Sequence, residues 1–404
     1  MKTIPEKQCA ILVGGLGTRL GPLTADCPKP LLPVAGQPFL YHLLRNVRRF
    51  GYDDFLLLAG HQSDRVDAFA SSALQTELDC RIRVIAEPAP LGTGGALLHA
   101  ADVLQERFLL LNGDSFFDFN LLDLCTRLVR GKVLARIALR RVPDASRYGT
   151  VELDANRIIA FRERPQSPGP GLVNGGVYDL SSTILEHIGE GACSLERDVF
   201  PKLAAKRALA GFAYNGFFLD IGIPDDLVRA RQAIPLALRR PAVFFTRNGV
   251  LNQVGRNENF RWNDGVPQTI RRLNDLGWYV FVVTDQSGAG AGAGAAHGYA
   301  GEHHARKLHV RMNEELQRSG AHIDDFRYCP PQADGSEEGC SQAGAGRKPG
   351  PGMLLDLLEN WPVDVHRSFL IGDKESDLDA ASVEGLKEIR FFGGNIGRAI
   401  RANA

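Results

Sequence analysis

Gly14-Gly15-Leu16-Gly17-Thr18-Arg19-Leu20 follows the apolar run Ala10 to Val13 and has the residue types to hold phosphate. Glycines at the end of a strand let the backbone approach a ligand and turn its N–H groups toward an anion. Gly14, Gly15, Gly17 and Thr18 are therefore candidates to hold an anion. Arg19 adds a planar fork suited to phosphate oxygens. The pattern is not a dinucleotide fingerprint, because Leu20 stands where a glycine would be needed. It is not a P-loop either, because no Gly-Lys-Ser/Thr follows. Lys29, between Pro28 and Pro30, is a cation on a stiff segment. Asp114 ends an apolar run in Asn112-Gly113-Asp114, and Asp220 lies in Leu219-Asp220-Ile221-Gly222. Taken singly, each has a plain alternative: a tight turn for the glycines, surface decoration for Lys29, an N-cap for Asp114.

The elements that must position these groups are legible as apolar runs. AILVGG, DFLLLAG, IRVIAE and RFLLLNGD read as buried strands, and PFLYHLLRNVRRF and TGGALLHAADVL as amphipathic helices between them. Strands alternating with helices predict an α/β layer fold with a mixed, mostly parallel sheet. The pattern restarts near residue 242 with AVFFT, WYVFVVTD, SFLIGD and EIRFF, separated by VPQTIRRLNDL and MLLDLLENW. A chain of 404 residues is too long for one ordinary domain. The expected division is 1–237 and 242–404, with the short ALRRPA junction keeping the two close. AGAGAGAA (289–296) and the apolar-poor 332–346 read as surface loops.

Lys plus Arg and Asp plus Glu balance at 47 each, which disfavours a nucleic-acid partner. The densest basic run, RLVRGKVLARIALRR, has the spacing of a helix end followed by a strand and reads as a solvated face. Seven scattered cysteines without a CxxC pair fit reduced thiols in the cytoplasm. No stretch approaches the ~20 apolar residues of a membrane span.

GGLGTRLGPLT and CPKPLLPVAGQPFLYHLL, followed in order by EPAPLGTGGAL, LLLNGDSFFDFNL, RYGTVEL, AFRERP, LVNGGVYDL, SLERDVFPKLA and GFFLDIGIPDDL, closely resemble the sugar-1-phosphate nucleotidyltransferases over about 8–235. NGDSFFDFNL and FFLDIGIPDDL look most like the D-glycero-α-D-manno-heptose 1-phosphate guanylyltransferase branch. The resemblance implies a Rossmann-like domain that joins a nucleoside triphosphate, GTP favoured, to a sugar 1-phosphate. It further implies catalytic roles for Arg19, Lys29, Asp114 and Asp220, with Asp114 and Asp220 meeting at one Mg²⁺. By the same resemblance Glu87 and Gly92 face the nucleotide, and Glu163, Arg164, Asn174 and Gly175 the sugar phosphate. Arg164 stands where the family usually has lysine, which changes the contact geometry.

The second half, about 242–393, resembles haloacid-dehalogenase-type phosphatases, specifically the D-glycero-D-manno-heptose 1,7-bisphosphate phosphatases, in AVFFTRNGVLN, YVFVVTDQSGAGAG, RYCPP, GRKPGPGMLLDLL and SFLIGDKESDLDAA. This implies a second Rossmannoid domain. The departures fall on the reactive atoms. Thr246 occupies the place of the nucleophilic aspartate and Asn248 that of the acid–base aspartate. Thr284 and Lys348 keep the phosphate-binding places, and Asp373 and Asp377 the acidic motif. Turnover is therefore not expected there. A structural zinc loop is not expected either, because Cys329 is matched by Pro331, Gly344 and Gly346 where the other ligands should be. The sequence leaves room for a homo-oligomer and does not specify one.

Overall fold

The computed structural model describes residues 7–162, 167–252, 260–285, 298–329, 352–379 and 385–403. Glu163, Arg164, Lys348, the segments 289–296 and 332–346, and Pro331, Gly344 and Gly346 lie outside the described residues. The chain divides into two compact units that meet in sequence at Leu236 and Ala237.

The first unit opens with β1 (Gln8–Leu12), α1 (Phe39–Arg48), β2 (Asp54–Ala59), β3 (Arg81–Ala86), α2 (Gly92–His99) and β4 (Arg107–Asn112). β1 lies between β2 and β4, and β3 lies outside β2, all parallel. Every residue of β2 is buried, as a strand covered on both faces requires. α1 starts straight after Pro38 and carries Arg45 and Arg48 in its last turn, where cations suit the helix dipole. Next come β5 (Ser115–Phe117), β6 (Ala135–Val142), β7 (Thr150–Asp154), β8 (Arg157–Arg162), β9 (Gly171–Ser181), α3 (Phe200–Ala205), β10 (Leu209–Tyr214), β11 (Phe218–Asp220) and α4 (Pro224–Leu238).

The nine-stranded sheet runs β3-β2-β1-β4-β9-β6-β10-β8-β7. The apolar runs suggested a mostly parallel sheet, but of its described strand pairings four are parallel and five antiparallel. β9 runs against both β4 and β6, and β7 and β8 form a hairpin through Ala155, which takes a positive φ of 51°. Parallel neighbours need a long crossover, whereas the connections in the later half are mostly too short to carry one. Leu56, Leu110, Ile137, Tyr178 and Phe200 belong to the core that this sheet covers.

The second unit contains β12 (Ala242–Thr246), α5 (Val266–Asp275), β13 (Tyr279–Asp285), α6 (Gly298–Gln317), β14 (Asp325–Cys329), α7 (Gly352–Asn360), β15 (Phe369–Gly372), β16 (Lys387–Arg390) and α8 (Ile396–Asn403). Its five strands are all parallel, in the order β14-β13-β12-β15-β16. Alternate residues of β12 feed two cores. Val243 and Phe245 pack with Ile270, Met312 and Ile396, while Ala242 and Phe244 pack with Met353, Leu354 and Leu357. Helices therefore cover both faces, which is why AVFFT is apolar throughout. No described helix is long and apolar enough to cross a membrane.

Candidate functional site

A short ribbon outside the main sheet assembles the polar centre of the first unit. β5 and β11 pair antiparallel with Ser115 opposite Asp220 and Phe117 opposite Phe218. The Ile221 N–H donates to the Asp114 carbonyl at 2.9 Å. This register places Asp220 beside Asp114 although they are far apart in sequence. Phe116, Phe117 and Leu219 are buried and hold the ribbon to the body of the unit.

Lys29 comes to the same place from the other side. It begins a 3₁₀ turn after Pro28, is 7% exposed, and its Nζ donates to Asp114 Oδ2 at 2.5 Å. Asp220 accepts the Gly222 N–H at Oδ1, 2.5 Å away. Burial, and then the charge of Asp114, push the Asp220 carboxyl above its usual range; Lys29, the Gly222 N–H and Arg19 pull the other way without prevailing. A β-carbon on Gly222 would stand 3.1 Å from an Arg19 guanidinium nitrogen, so Arg19 also borders the cluster. Two carboxylates of which one already has an ammonium partner, and the other is held against its ionised form, fit a small divalent cation whose remaining ligands are phosphate oxygens and water. Among the described residues no cluster of three or more acidic, histidine or cysteine side chains suits a metal.

The glycine loop lies at the end of β1. Gly15, Thr18 and Arg19 are exposed, Gly14 and Gly17 partly so, and the Gly17 carbonyl accepts from Leu20 N at 2.9 Å as the chain enters a 3₁₀ turn. Glu87 braces this loop. Its Oε2 accepts the Leu91 N–H at 2.9 Å, and Oε1 would be 2.8 Å from a β-carbon on Gly14. One oxygen of Glu87 is thus committed to the turn before α2. Gly92 has φ +72°, and a β-carbon there would meet the Cys193 carbonyl oxygen at 2.6 Å. That close approach, more than ligand contact, requires glycine.

Asn174 and Gly175 both have close neighbours within the protein. Asn174 accepts from Gly176 N at 3.0 Å and donates from Nδ2 to the Tyr178 hydroxyl at 2.8 Å. A β-carbon on Gly175 would lie 2.5 Å from the Phe117 ring, so that close approach requires glycine. Gly175→Ala is expected to cost about 1–3 kcal/mol by overpacking, read as a lower denaturant midpoint at unchanged slope. An unchanged midpoint would show that Phe117 yields freely.

Residue-type reasoning assigned no role to Thr93, Tyr178 or Glu196. Glu196 Oε2 accepts from Thr93 Oγ1 at 2.8 Å and from Ser194 Oγ at 3.0 Å, and its Oε1 accepts from the Tyr178 hydroxyl at 3.3 Å. The chain of bonds ties the start of α2 to Asn174. The signal was the SLERD motif, in which Glu196 had no assigned partner. Tyr148 also stands near the centre, its hydroxyl pushed up by burial and by Asp220.

In the second unit, Thr246, Thr284 and Asp373 stand at the C-terminal ends of the neighbouring strands β12, β13 and β15. Thr246 is buried and its hydroxyl has no hydrogen-bond partner among the described residues; Thr284 is also buried. Asn248 is exposed, and Asp373 closes directly over Gly249. Burial and then the neighbouring Asp377 push the Asp373 carboxyl up. With Thr246 and Asn248 neutral, Asp373 and Asp377 are the carboxylates that remain at this edge among the described residues.

A family model described as nucleotidyl transferase matches residues 9–235. The D-glycero-alpha-D-manno-heptose 1-phosphate guanylyltransferase of Aneurinibacillus thermoaerophilus is 32% identical over 230 residues, 56% of this chain and 98% of that protein. The crystal structure of HddC from Yersinia pseudotuberculosis complexed with GMP-PN matches with a TM-score of 0.50 at 29% identity, covering 56% of this chain and 99% of that one. The C-terminal part is similar to the D-glycero-beta-D-manno-heptose-1,7-bisphosphate 7-phosphatase of Rhodopseudomonas palustris, 46% identical over 164 residues, 40% of this chain and 88% of that protein. The matched range holds the glycine loop, Lys29, Asp114 and Asp220 together, and the chain belongs to the nucleotidyl transferase family.

Proposed function

We propose that the first unit transfers a nucleotidyl group from GTP to D-glycero-α-D-manno-heptose 1-phosphate, giving GDP-heptose and pyrophosphate. The observation that carries this is the meeting of Lys29, Asp114 and Asp220, with Arg19 at the border, beside a glycine loop. The choice of base and sugar rests on the likeness to the Aneurinibacillus guanylyltransferase. A sugar phosphate oxygen attacks the α-phosphorus, and pyrophosphate leaves in line. Two anions must be brought together, so positioning and charge neutralisation carry the rate. The Gly14 to Thr18 backbone and Arg19 hold the departing phosphates, and Lys29 neutralises charge near the α-phosphorus. Asp114 and Asp220 would hold Mg²⁺, which when bound supplies charge neutralisation at the reacting phosphate. Glu163 and Arg164 belong to the sugar-phosphate side in this reading, while Asn174 is aimed by Tyr178 and Glu196.

Pyrophosphate release across four nucleoside triphosphates and a panel of sugar 1-phosphates tests the assignment. GTP with the heptose 1-phosphate is expected to exceed every other pair. A larger rate with mannose 1-phosphate or with another base would reassign the substrate while leaving the reaction class.

The second unit takes the part of a haloacid-dehalogenase-like domain without phosphatase turnover, because the Thr246 hydroxyl has no hydrogen-bonded base among the described residues and Asn248 cannot relay a proton. Thr246→Asp combined with Asn248→Asp is expected to create Mg²⁺-dependent hydrolysis of a heptose 1,7-bisphosphate where the native chain has none. Phosphate release by the unaltered chain, resistant to Asp114→Asn, would overturn the inactive reading.

A further inference from the structure

The connection between β6 and β7 touches two sides of the first unit at once. On one side the Ala145 N–H donates to the Gly169 carbonyl at 2.8 Å, just before β9, and a β-carbon on Gly149 would stand 3.0 Å from the Arg162 carbonyl oxygen at the end of β8. Thr150, which begins β7, pairs with Arg162 and with Val173, whose chain neighbours are Glu163 and Asn174. On the other side the Tyr148 ring meets the Phe218 ring of β11 edge-on at 6.4 Å, and Arg147 Nη2 donates to Asp226 Oδ2 at 2.6 Å. Asp226 lies in the first turn of α4, where a carboxylate suits the helix dipole.

From Asp226 the path to Asp220 is short. Ile221, Gly222 and Ile223 alone separate β11 from α4. Within that joint the Gly222 N–H is the donor that holds Asp220 Oδ1, at 2.5 Å. The stretch is pinned at one end by the pairing of β11 with β5 and at the other by the Arg147 bond to Asp226. A movement of the first turn of α4 would therefore redirect the Asp220 carboxylate. Neutralising Asp226 does not by itself call for Arg147, because Arg229, on α4, places Nη2 3.2 Å from Asp226 Oδ1. What Arg147 adds is a tie between elements: its side chain, 43% exposed, grips a carboxylate that is 6% exposed.

We propose that Arg147 is a positioning residue that couples the sugar-phosphate side of the site to its metal side. A sugar 1-phosphate taken up on the side of Glu163, Arg164 and Asn174 steadies the β7–β8 hairpin and the connection before it, and Arg147 passes that order through Asp226 to the Gly222 joint and Asp220. Asp114 and Asp220 then hold Mg²⁺ more tightly once the acceptor is in place, and the acceptor binds more tightly once the ion is, because coupling between two ligands is reciprocal. A site completed by its acceptor in this way spares the nucleoside triphosphate from attack by water while the acceptor is absent. The inference rests on the reading of Asp114 and Asp220 as the metal carboxylates.

Calorimetric melting of the full-length chain tests this, with Mg²⁺ titrated in the presence of an α,β-methylene analogue of GTP that cannot release pyrophosphate, with and without D-glycero-α-D-manno-heptose 1-phosphate. In the native chain the sugar phosphate is expected to lower the Mg²⁺ concentration at half-maximal shift by about fivefold or more. Arg147→Gln is expected to abolish this lowering, and Arg229→Gln, which leaves the tie between elements in place, to retain it. With GTP itself, Arg147→Gln should need about fivefold more Mg²⁺ for half-maximal pyrophosphate release, and excess Mg²⁺ should restore most of the rate, which it would not do for a general loss of structure. Asp226→Asn should match Arg147→Gln, and the double variant should be no worse than either. Absence of coupling in a native chain that does respond to Mg²⁺, its retention in folded Arg147→Gln, or its equal loss in Arg229→Gln would each overturn the proposal and leave the metal carboxylates as assigned. A native chain whose melting ignores Mg²⁺ altogether would remove that assignment and the coupling with it. Should Arg147→Gln fail to fold by circular dichroism, Asp226→Asn, which keeps the side chain's shape and breaks the same bond, makes the same decision.

Discussion

Asp114→Asn is expected to lower pyrophosphate release by about a thousandfold or more while keeping the native circular dichroism spectrum. The carboxylate is the point where the Lys29 ammonium and, in the proposed reaction, the metal charge converge. An amide keeps the shape and removes the charge. The variant also strands Lys29, whose side chain is 8% exposed while that of Asp114 is 32% exposed. Because one partner remains wetted, the stability loss is expected to be about 1–3 kcal/mol and not that of a fully buried pair. Turnover near the native rate would remove Asp114 from the metal site.

Asp220→Asn is expected to abolish turnover to a similar degree and to move stability the other way. Its carboxyl is raised by burial and by Asp114, so in the metal-free chain its ionised form opposes folding. A carboxyl whose folded pKa lies above its unfolded one holds more protons when folded, and stability falls as pH rises between the two values. The penalty is absent below the ordinary carboxylate range and fully present above the raised folded value. At pH 7 and without metal, Asp220→Asn should therefore melt about 1–3 °C higher than the native chain. Added Mg²⁺ should stabilise the native chain and leave the variant unmoved. A variant that melts lower in EDTA would show that Lys29 and Arg19 outweigh Asp114 at this carboxylate. The two substitutions look alike in an activity assay, and calorimetry with and without magnesium separates them.

The parallel strands of both units were readable from their apolar runs, because a strand covered on two faces leaves a continuous signal in composition. The antiparallel half of the first sheet was not readable in that way. β9 is eleven residues long and carries a register shift between Asn174 and Tyr178, and nothing in its composition states which neighbours it runs against. Motif order brought Asp114 and Asp220 forward together, yet not the three-residue ribbon that aligns them, since such a strand is too short to show a period. Resemblance placed Gly175 toward the sugar phosphate, and nothing in its residue type pointed to the close approach of Phe117. Glu196 stayed silent because its partners, Thr93 and Tyr178, lie on separate elements and become related only through folding. Substitution at a known position is easier to read: Thr246 and Asn248 stand where the resemblance places two aspartates, and only the structure shows that Arg247 between them is buried.

The ribbon of β5 with β11 also sets an order of events. Because Phe218–Asp220 docks from the far end of the first unit, a polypeptide interrupted before Phe218 owns only one of the two acidic groups. Such a fragment, whether stalled during synthesis or clipped by a protease, could still carry the glycine loop and Lys29, and in the proposed reaction would be inert.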